Sequence, residues 1–207
     1  GSSILVLGSA GTGKTSIASS FALKCAQSGK KCLYFAFEES PNQIIRNMDS
    51  IGIPLKQHIQ SGMLQFYASR PTVYGLEMHL VIMNKAIEKF EPEVVIVDPM
   101  TNMISIGSNT EIKTMLTRLM DNLKNKQITG LFTSLVHGQG KDMELTTEGI
   151  SSLIDTLLEV RNIELNNEMR RGLQIVKSRG MAHSNKIREF LINDKGIDLL
   201  DFQERVI

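Results

Sequence analysis

A glycine-rich segment at residues 8–15, GSAGTGKT, constrains the fold of this chain more than any other feature. It satisfies the pattern G-x-x-x-x-G-K-S/T in full and lies between an apolar run, residues 4–7, and an amphipathic stretch at residues 15–28. In such a strand–loop–helix unit, backbone N–H groups and the positive end of the helix dipole converge on phosphate oxygens. The segment therefore predicts a nucleotide phosphate site. A ligand-free glycine turn and a site that binds without hydrolysis are the alternatives.

The residue types of this loop suggest individual roles. Lys14 is expected to reach the β and γ phosphates of a nucleotide, and the hydroxyl of Thr15 to ligate magnesium. The residues expected to contact the nucleotide here are Gly8, Ser9, Ala10, Gly11, Thr12, Gly13, Lys14, Thr15 and Ser16.

The rest of the chain alternates between short β-type runs and longer helical segments, which predicts an α/β fold with a mainly parallel central sheet between helices. After residue 136 the pattern changes: a polar segment is followed by three β-type runs joined by short turns, which predict an antiparallel extension of the same sheet. The predicted strands are 4–7, 32–37, 63–67, 94–97, 130–136, 153–161, 172–178 and 187–192, and the predicted helices are 15–28, 41–50, 72–90 and 110–126.

Acidic residues follow two of these strands. Asp98 comes directly after four aliphatic residues, and Glu38 and Glu39 follow the run 32–37. The carboxyl ends of parallel strands meet at one end of a sheet, so these carboxylates should lie beside the phosphate loop. We expect Asp98 to act on magnesium through bound water, and one of the candidate catalytic residues Glu38 and Glu39 to act as general base, with Glu38 favoured. The alternatives are a turn-forming Asp98 before Pro99 and a solvated acidic pair.

Composition restricts the environment and partners. The 23 Lys and Arg residues nearly balance the 22 Asp and Glu residues, which gives no bulk attraction to nucleic acid or anionic lipid. No apolar run reaches the roughly 18 residues of a membrane span. The two cysteines suit a reducing compartment, so we expect a cytoplasmic protein without a membrane partner.

Several motifs together resemble the KaiC-type ATPase domains of the RecA/DnaB superfamily. They are residues 8–15, the sequence FEESP at 37–41, the run ending at Asp98, KSRG at 177–180, and REF at 188–190 followed by DKG at 194–196. The similarity covers nearly all 207 residues and is strongest to the second, autokinase-type domain of the family. It implies a RecA-like P-loop NTPase, ATP with Mg²⁺ as cofactors, and a hexameric ring with nucleotide between subunits.

The resemblance also assigns residues to the two sides of such an interface. One subunit would contact ATP and magnesium through the loop 8–15, Glu38 and Asp98, and Ser50 and Ile51 would flank the adenine. The next subunit would reach across with basic and polar residues, of which Lys177 and Arg179 act on the transferred phosphate: Arg171, Lys177, Ser178, Arg179 and His183.

Two adjacent hydroxyls match the phosphoacceptors of the autokinase domain. Ser151 and Ser152 are therefore candidate acceptors of a phosphoryl group, although a serine pair before a strand is also ordinary turn chemistry. Residues 134–137, with sequence SLVH, are less polar than in the clock proteins of this family. This departure puts the kinase step in doubt.

The sequence thus predicts that residues 1–207 form one KaiC-like ATPase domain, which can be a piece of a longer two-domain chain. It would hydrolyse ATP in a ring and meet signalling or clock-type protein partners. Two other classes stay open: a DNA-dependent motor or recombinase of the RecA/DnaB type, although nucleic acid is a disfavoured partner, and a nucleotide-gated scaffold with little turnover.

Overall fold

A computed structural model describes residues 1–136, 152–165 and 167–201 of the chain. The described strands are β1 (Ser3–Gly8), β2 (Cys32–Ala36), β3 (Leu64–Ala68), β4 (Val94–Asp98), β5 (Thr129–Leu135), β6 (Thr156–Leu165), β7 (Glu168–Ser178), β8 (Arg188–Asn193) and β9 (Gly196–Asp201). The described α-helices are α1 (Lys14–Gln27), α2 (Pro41–Asp49), α3 (Lys56–Gln60), α4 (Leu76–Phe90) and α5 (Asn109–Asn125).

The described strands form one sheet in the order β3-β2-β4-β5-β1-β6-β7-β8-β9. Every neighbouring pair from β3 to β6 is parallel, and the pairs from β6 to β9 are antiparallel. The predicted α/β class, the mainly parallel sheet and its C-terminal antiparallel extension are therefore confirmed. The strand β6 belongs to both parts, because it pairs in parallel with β1 and antiparallel with β7.

Several elements differ from those predicted. The helix expected over residues 72–90 is interrupted: Pro71–Val73 forms a 3₁₀ turn, and α4 begins only after Gly75, whose extended backbone precedes the first helical turn. A second 3₁₀ segment covers Met100–Ile106, after β4. These turns, the short helix α3 and the final strand β9 were not predicted, because none of them has a long periodic pattern in the sequence.

The core lies in two layers, one on each face of the sheet. One face packs against α4 and α5 through residues such as Leu80, Leu116 and Phe132, and the other packs against α1 and α2 through residues such as Ala18, Tyr34 and Ile44. The strands β2 and β4 are buried throughout, as continuous apolar runs between two helical layers should be. Burial on both faces fixes the strands whose ends carry the candidate site.

The parallel strands share one end at which the candidate site residues appear. Gly8 ends β1, Asp98 ends β4, and Glu38 follows β2. We call this the phosphate end of the sheet. In the described part of the chain, none of the helices is both long and apolar enough to cross a membrane.

Candidate nucleotide site

The loop between β1 and α1 needs glycine for steric reasons at two positions. A Cβ atom on Gly8 would lie 2.5 Å from the carbonyl oxygen of Val160. Gly13 has a φ of 94°, in the left-handed region, and a Cβ there would lie 2.8 Å from the ring of Phe190. The loop is therefore held tightly between the start of α1 and the strands β6 and β8.

The side chain of Lys14 is folded over this loop. Its ammonium donates hydrogen bonds to the carbonyl oxygens of Gly8 at 2.8 Å and Ser9 at 2.7 Å, which leaves one of its three N–H donors for a phosphate. The hydroxyl of Thr12 also donates to the carbonyl of Ser9, at 2.9 Å. Burial lowers the pKa of Lys14, while the negative charges of Asp98 and Glu38 oppose that shift. The side chains of Thr12 and Lys14 therefore hold the loop through its backbone carbonyl groups.

A cavity of about 360 Å³ opens over the loop. It brings together most of the predicted loop and acidic residues: Ala10, Gly11, Gly13, Lys14, Thr15, Ser16, Glu38, Glu39 and Asp98. The walls also include four residues that the sequence analysis did not single out, Met48, Pro99, Leu135 and Ile192. They are apolar, and only their position in the fold distinguishes them from core residues.

Asp98 is buried at the end of β4, and two neutral hydroxyls orient its carboxylate. Tyr34 donates to one oxygen at 2.6 Å, and Thr133 donates to the other through a short hydrogen bond. Burial first, and then the neighbouring carboxylate of Asp98, raise the pKa of Tyr34 well above its usual value, so its hydroxyl stays protonated. Neither residue was predicted from the sequence. The only local signal for each is a polar group within an apolar strand, which does not identify its partner.

The two glutamates have different surroundings. Glu38 is exposed, whereas Glu39 is half-buried and accepts a hydrogen bond from the side-chain amide of Asn47 at 3.2 Å. Burial raises the pKa of Glu39, and the charges of Asp98 and Glu38 raise it further, while Asn47 opposes the shift. The cavity therefore concentrates negative charge that a bound cation would relieve.

The oxygen groups of this cavity suit magnesium, which needs few protein ligands, better than a metal that is held entirely by side chains. Within the described residues, no three His, Cys, Asp or Glu side chains converge closely enough to hold a metal ion. Mg²⁺ in nucleotide sites is held by one or two protein oxygens together with water and phosphate. The hydroxyl of Thr15 and the carboxylates of Asp98 and Glu38 line one cavity and fit that pattern.

The residues expected at the adenine lie apart from the phosphate cavity. Ser50 follows α2 and is exposed, and its hydroxyl donates to the carbonyl of Asn47 at 2.7 Å. Ile51 packs against the core layer on the α1 face. Neither residue lines the cavity that contains Lys14.

Lys177, near the end of β7, and Arg179, which follows that strand, lie at the other end of the sheet. The N–H of Arg179 donates to the carbonyl of Asp155, and the N–H of Asp155 donates to the carbonyl of Ser3, so Arg179 is level with the start of β1. Gly8 is five residues after Ser3 in β1, a distance of about 17 Å along the strand. We call the region around Ser3, Lys177 and Arg179 the basic end of the sheet.

Two cationic side chains, those of Lys177 and Arg179, lie close together at the basic end. Partial burial and then the charge of Arg179 lower the pKa of Lys177, and Asp155 opposes the shift. A β-bulge in the pairing of β6 with β7, between Leu157 and Leu158, sets the face to which Lys177 belongs. The guanidinium of Arg179 donates to the carbonyl of Ser152 at 2.8 Å.

The other residues expected across the interface are spread more widely. Ser178 shares a 3.0 Å hydrogen bond with Thr156, and His183 lies in the loop that follows Arg179. Arg171 pairs with Asn162 near the start of β7, so the structure does not bring it to the basic end. Its Nε atom is buried and has no hydrogen-bond partner among the described residues. The candidate acceptor Ser151 lies outside the described residues.

Comparisons with known proteins agree with this architecture. A family profile described as "ATPase: KaiC" matches residues 1–204. The chain is similar to circadian clock protein KaiC2 of Synechocystis sp., with 49% identity over 97% of the chain and 36% of the relative. It is 34% identical to the circadian clock oscillator protein KaiC of Thermostichus vulcanus and 32% identical to that of Synechococcus elongatus, each over 96% of the chain and 38% of the relative. The chain thus spans little more than a third of the length of these relatives.

Proposed function

We propose that this chain, which belongs to the KaiC family of ATPases, hydrolyses Mg²⁺–ATP in a ring, with each nucleotide held between two subunits. The observation that carries the proposal is the convergence of Lys14, Glu38 and Asp98 on one cavity above a complete phosphate loop. The family accounts for ATP binding and hydrolysis in general, and the roles of individual residues below are our proposal.

In the first half of the site, the loop N–H groups and the start of α1 bind the phosphates, and Lys14 binds the β and γ phosphates. The oxygens of Thr15 and Asp98 would hold magnesium, which would neutralise phosphate charge. Tyr34 and Thr133 hold the carboxylate of Asp98 in a fixed orientation. In this proposal the γ phosphate would face Glu38, which lines the same cavity as Lys14.

Glu38 is the proposed general base. It accepts a proton from a water molecule while the water oxygen bonds to the γ phosphorus; the bond to the bridging oxygen breaks, and ADP leaves with the electron pair. The exposed carboxylate of Glu38 is accessible to such a water. Glu39 is held by Asn47 and is better placed to support the local structure.

The second half of the site is proposed to come from the basic end of a neighbouring subunit. Lys14 is the one basic side chain among the described residues that line the phosphate cavity. The backbone of Arg179 is about 17 Å further along the sheet in the same chain, too far for its side chain to reach that cavity. A cation supplied in trans would stabilise charge on the transferred phosphate and make hydrolysis depend on assembly.

A variant of the base tests this function. Glu38→Gln keeps the size and removes the proton acceptor, so we expect ATP binding to be retained and turnover to fall about 100-fold or more. Glu39→Gln is the matched control and should retain most of the turnover. Equal turnover in wild type and Glu38→Gln, measured as released phosphate, would overturn the assignment of the base.

One observation favours a second reaction at the same site. The carbonyl of Ser152 accepts a hydrogen bond from Arg179, so a candidate acceptor lies beside a cation proposed to reach the neighbour's triphosphate. Phosphoryl transfer to Ser151 or Ser152 of the next subunit is therefore a second candidate activity. Mass spectrometry of the peptide containing both serines, after incubation with Mg²⁺–ATP, should find a phosphate; an unmodified peptide would exclude it.

The relatives are named as circadian clock proteins, which supports a signalling partner of that kind for an assembled ring. A nucleotide-dependent assembly without turnover would instead favour the scaffold alternative. Turnover that single-stranded DNA stimulates, with steep salt dependence, would favour the DNA-dependent motor.

A further inference from the structure

A second cavity lies on the far side of Glu38 from the phosphate loop. It has a volume of about 410 Å³, and its lining includes Glu38, Arg70, Thr72 and Asn102. Glu38 also lines the phosphate cavity, so the proposed base separates the two spaces. The second cavity contains no residue that the sequence analysis assigned to the nucleotide apart from Glu38.

Arg70 is the cation of this cavity. It follows β3, which pairs in parallel with β2, so Arg70 and Glu38 leave the sheet at the same end. Both residues also line a smaller space of about 240 Å³. The side chain of Arg70 is exposed, and within the described part of the chain it makes no hydrogen bond or ion pair. Its guanidinium is available to bind an anion.

Charge explains why an anion would move toward this arginine. Hydrolysis produces inorganic phosphate next to ADP, in a cavity lined by three carboxylates, Glu38, Glu39 and Asp98, and one ammonium, that of Lys14. The ammonium of Lys14 and a bound metal would already neutralise the phosphates of ADP. The carboxylates would therefore repel the released phosphate from the loop. Arg70 lines the next cavity, beside Glu38, and its positive charge would attract the phosphate there.

We propose that Arg70 forms a second phosphate subsite, which binds the inorganic phosphate released by hydrolysis before it leaves the protein. A guanidinium suits this ligand because its planar donors form paired hydrogen bonds with phosphate oxygens. Asn102 is held in place by a 3.2 Å hydrogen bond from its amide to the carbonyl of Phe37, and Thr72 adds a hydroxyl to the lining. The subsite rests on the proposed function for its role, but its affinity for phosphate can be measured without turnover.

The experiment uses the full chain saturated with Mg²⁺–ADP and titrates inorganic phosphate by calorimetry. We expect Arg70→Ala to weaken phosphate binding about tenfold, the effect of one lost charge-assisted contact. Arg70→Lys should recover only part of the affinity, because it keeps the charge without the planar donors. Arg46→Ala, which removes an exposed arginine of α2 outside this cavity, is the matched control and should leave binding unchanged.

The same variants are then assayed for inhibition of ATP turnover by added phosphate. The inhibition constant should rise about tenfold in Arg70→Ala, while the affinity for Mg²⁺–ATP stays the same. Equal phosphate affinity in Arg70→Ala and Arg46→Ala would overturn the subsite even if the chain hydrolyses ATP. Phosphate binding that depends on Arg70 in a chain without turnover would support the subsite and refute the hydrolysis proposal.

Discussion

The phosphate end and the basic end of the sheet have opposite chemistry. At the phosphate end, Lys14 lies among the carboxylates of Glu38, Glu39 and Asp98. Burial, and then repulsion from the other two carboxylates, raise the pKa of Glu39. At the basic end, burial and the nearby Arg179 lower the pKa of Lys177. In both cases burial is the larger cause of the pKa shift, and a neighbouring like charge adds to it. A bound cation would reduce the repulsion at the phosphate end, and a bound anion would reduce it at the basic end.

The separation of the two ends follows from strand direction. β1 and β6 run in parallel toward the phosphate end, and β7 returns antiparallel, so the last residues of β7 reach the start of β1. A single subunit therefore presents the two ends on different parts of its surface. Copies related by rotation in a closed ring can join each phosphate end to a neighbour's basic end.

The first prediction concerns the phosphate end. Tyr34→Phe removes the 2.6 Å hydrogen bond to Asp98, and we expect the Mg²⁺ concentration needed for half-maximal binding of ATP to rise about tenfold, as for other groups that orient a metal ligand. Tyr67→Phe removes a hydroxyl from the neighbouring strand β3 and is the matched control. A magnesium titration with a fluorescent ATP analogue measures the change. The same half-saturation in both variants would show that Tyr34 does not orient the site.

The second prediction concerns the basic end and is smaller. Asp155 accepts hydrogen bonds from the N–H and the hydroxyl of Ser3, each at 2.8 Å, and pairs with Lys124 at 3.1 Å. Burial disfavours its charge, but these contacts outweigh burial and lower the pKa below its ordinary value of 3.8. We expect Asp155→Asn to reduce the free energy of unfolding by about 1.5 kcal/mol at neutral pH.

The pH dependence of this effect has a definite sign. A lowered pKa in the folded state stabilises the fold above pH 3.8, and this contribution is lost as the pH falls through the lower folded value. The difference between wild type and Asp155→Asn in urea unfolding should therefore shrink in acid. Asp121→Asn, on the exposed side of α5, should unfold like the wild type. A difference that does not change with pH would mean that the charge of Asp155 is not the cause.

Local sequence patterns predicted the parallel half of the sheet well, because each buried strand is an apolar run followed by a helix. The same patterns placed Asp98 and Glu38 at strand ends, and the structure brings both to the cavity. Tyr34 and Thr133 could not be predicted in this way, since their partner is more than 30 residues away in sequence. Their role depends on strand order, which local periodicity does not contain.

The position of the basic end also required the structure. The β-type runs after residue 152 predicted antiparallel strands, but the pairing of β6 with β1 joins residues about 150 positions apart. That pairing places Arg179 level with Ser3, and the bulge beside Leu157 sets the face of Lys177. The assignment of these cations to a neighbour's site came from the family resemblance. The strand register supports this assignment independently. Arg179 is too far along the sheet from the phosphate loop to contact a nucleotide bound there by the same chain.

The most direct test of the shared site mixes two inactive proteins. Lys14→Ala removes the phosphate end as a functional site, Arg179→Ala removes the basic end, and each variant alone should lose nearly all turnover. In a mixed ring, some interfaces join an intact phosphate end to an intact basic end, so we predict that the mixture regains a substantial fraction of wild-type turnover. A mixture as inactive as its two parents, in assemblies shown by mass to contain both variants, would contradict the shared site.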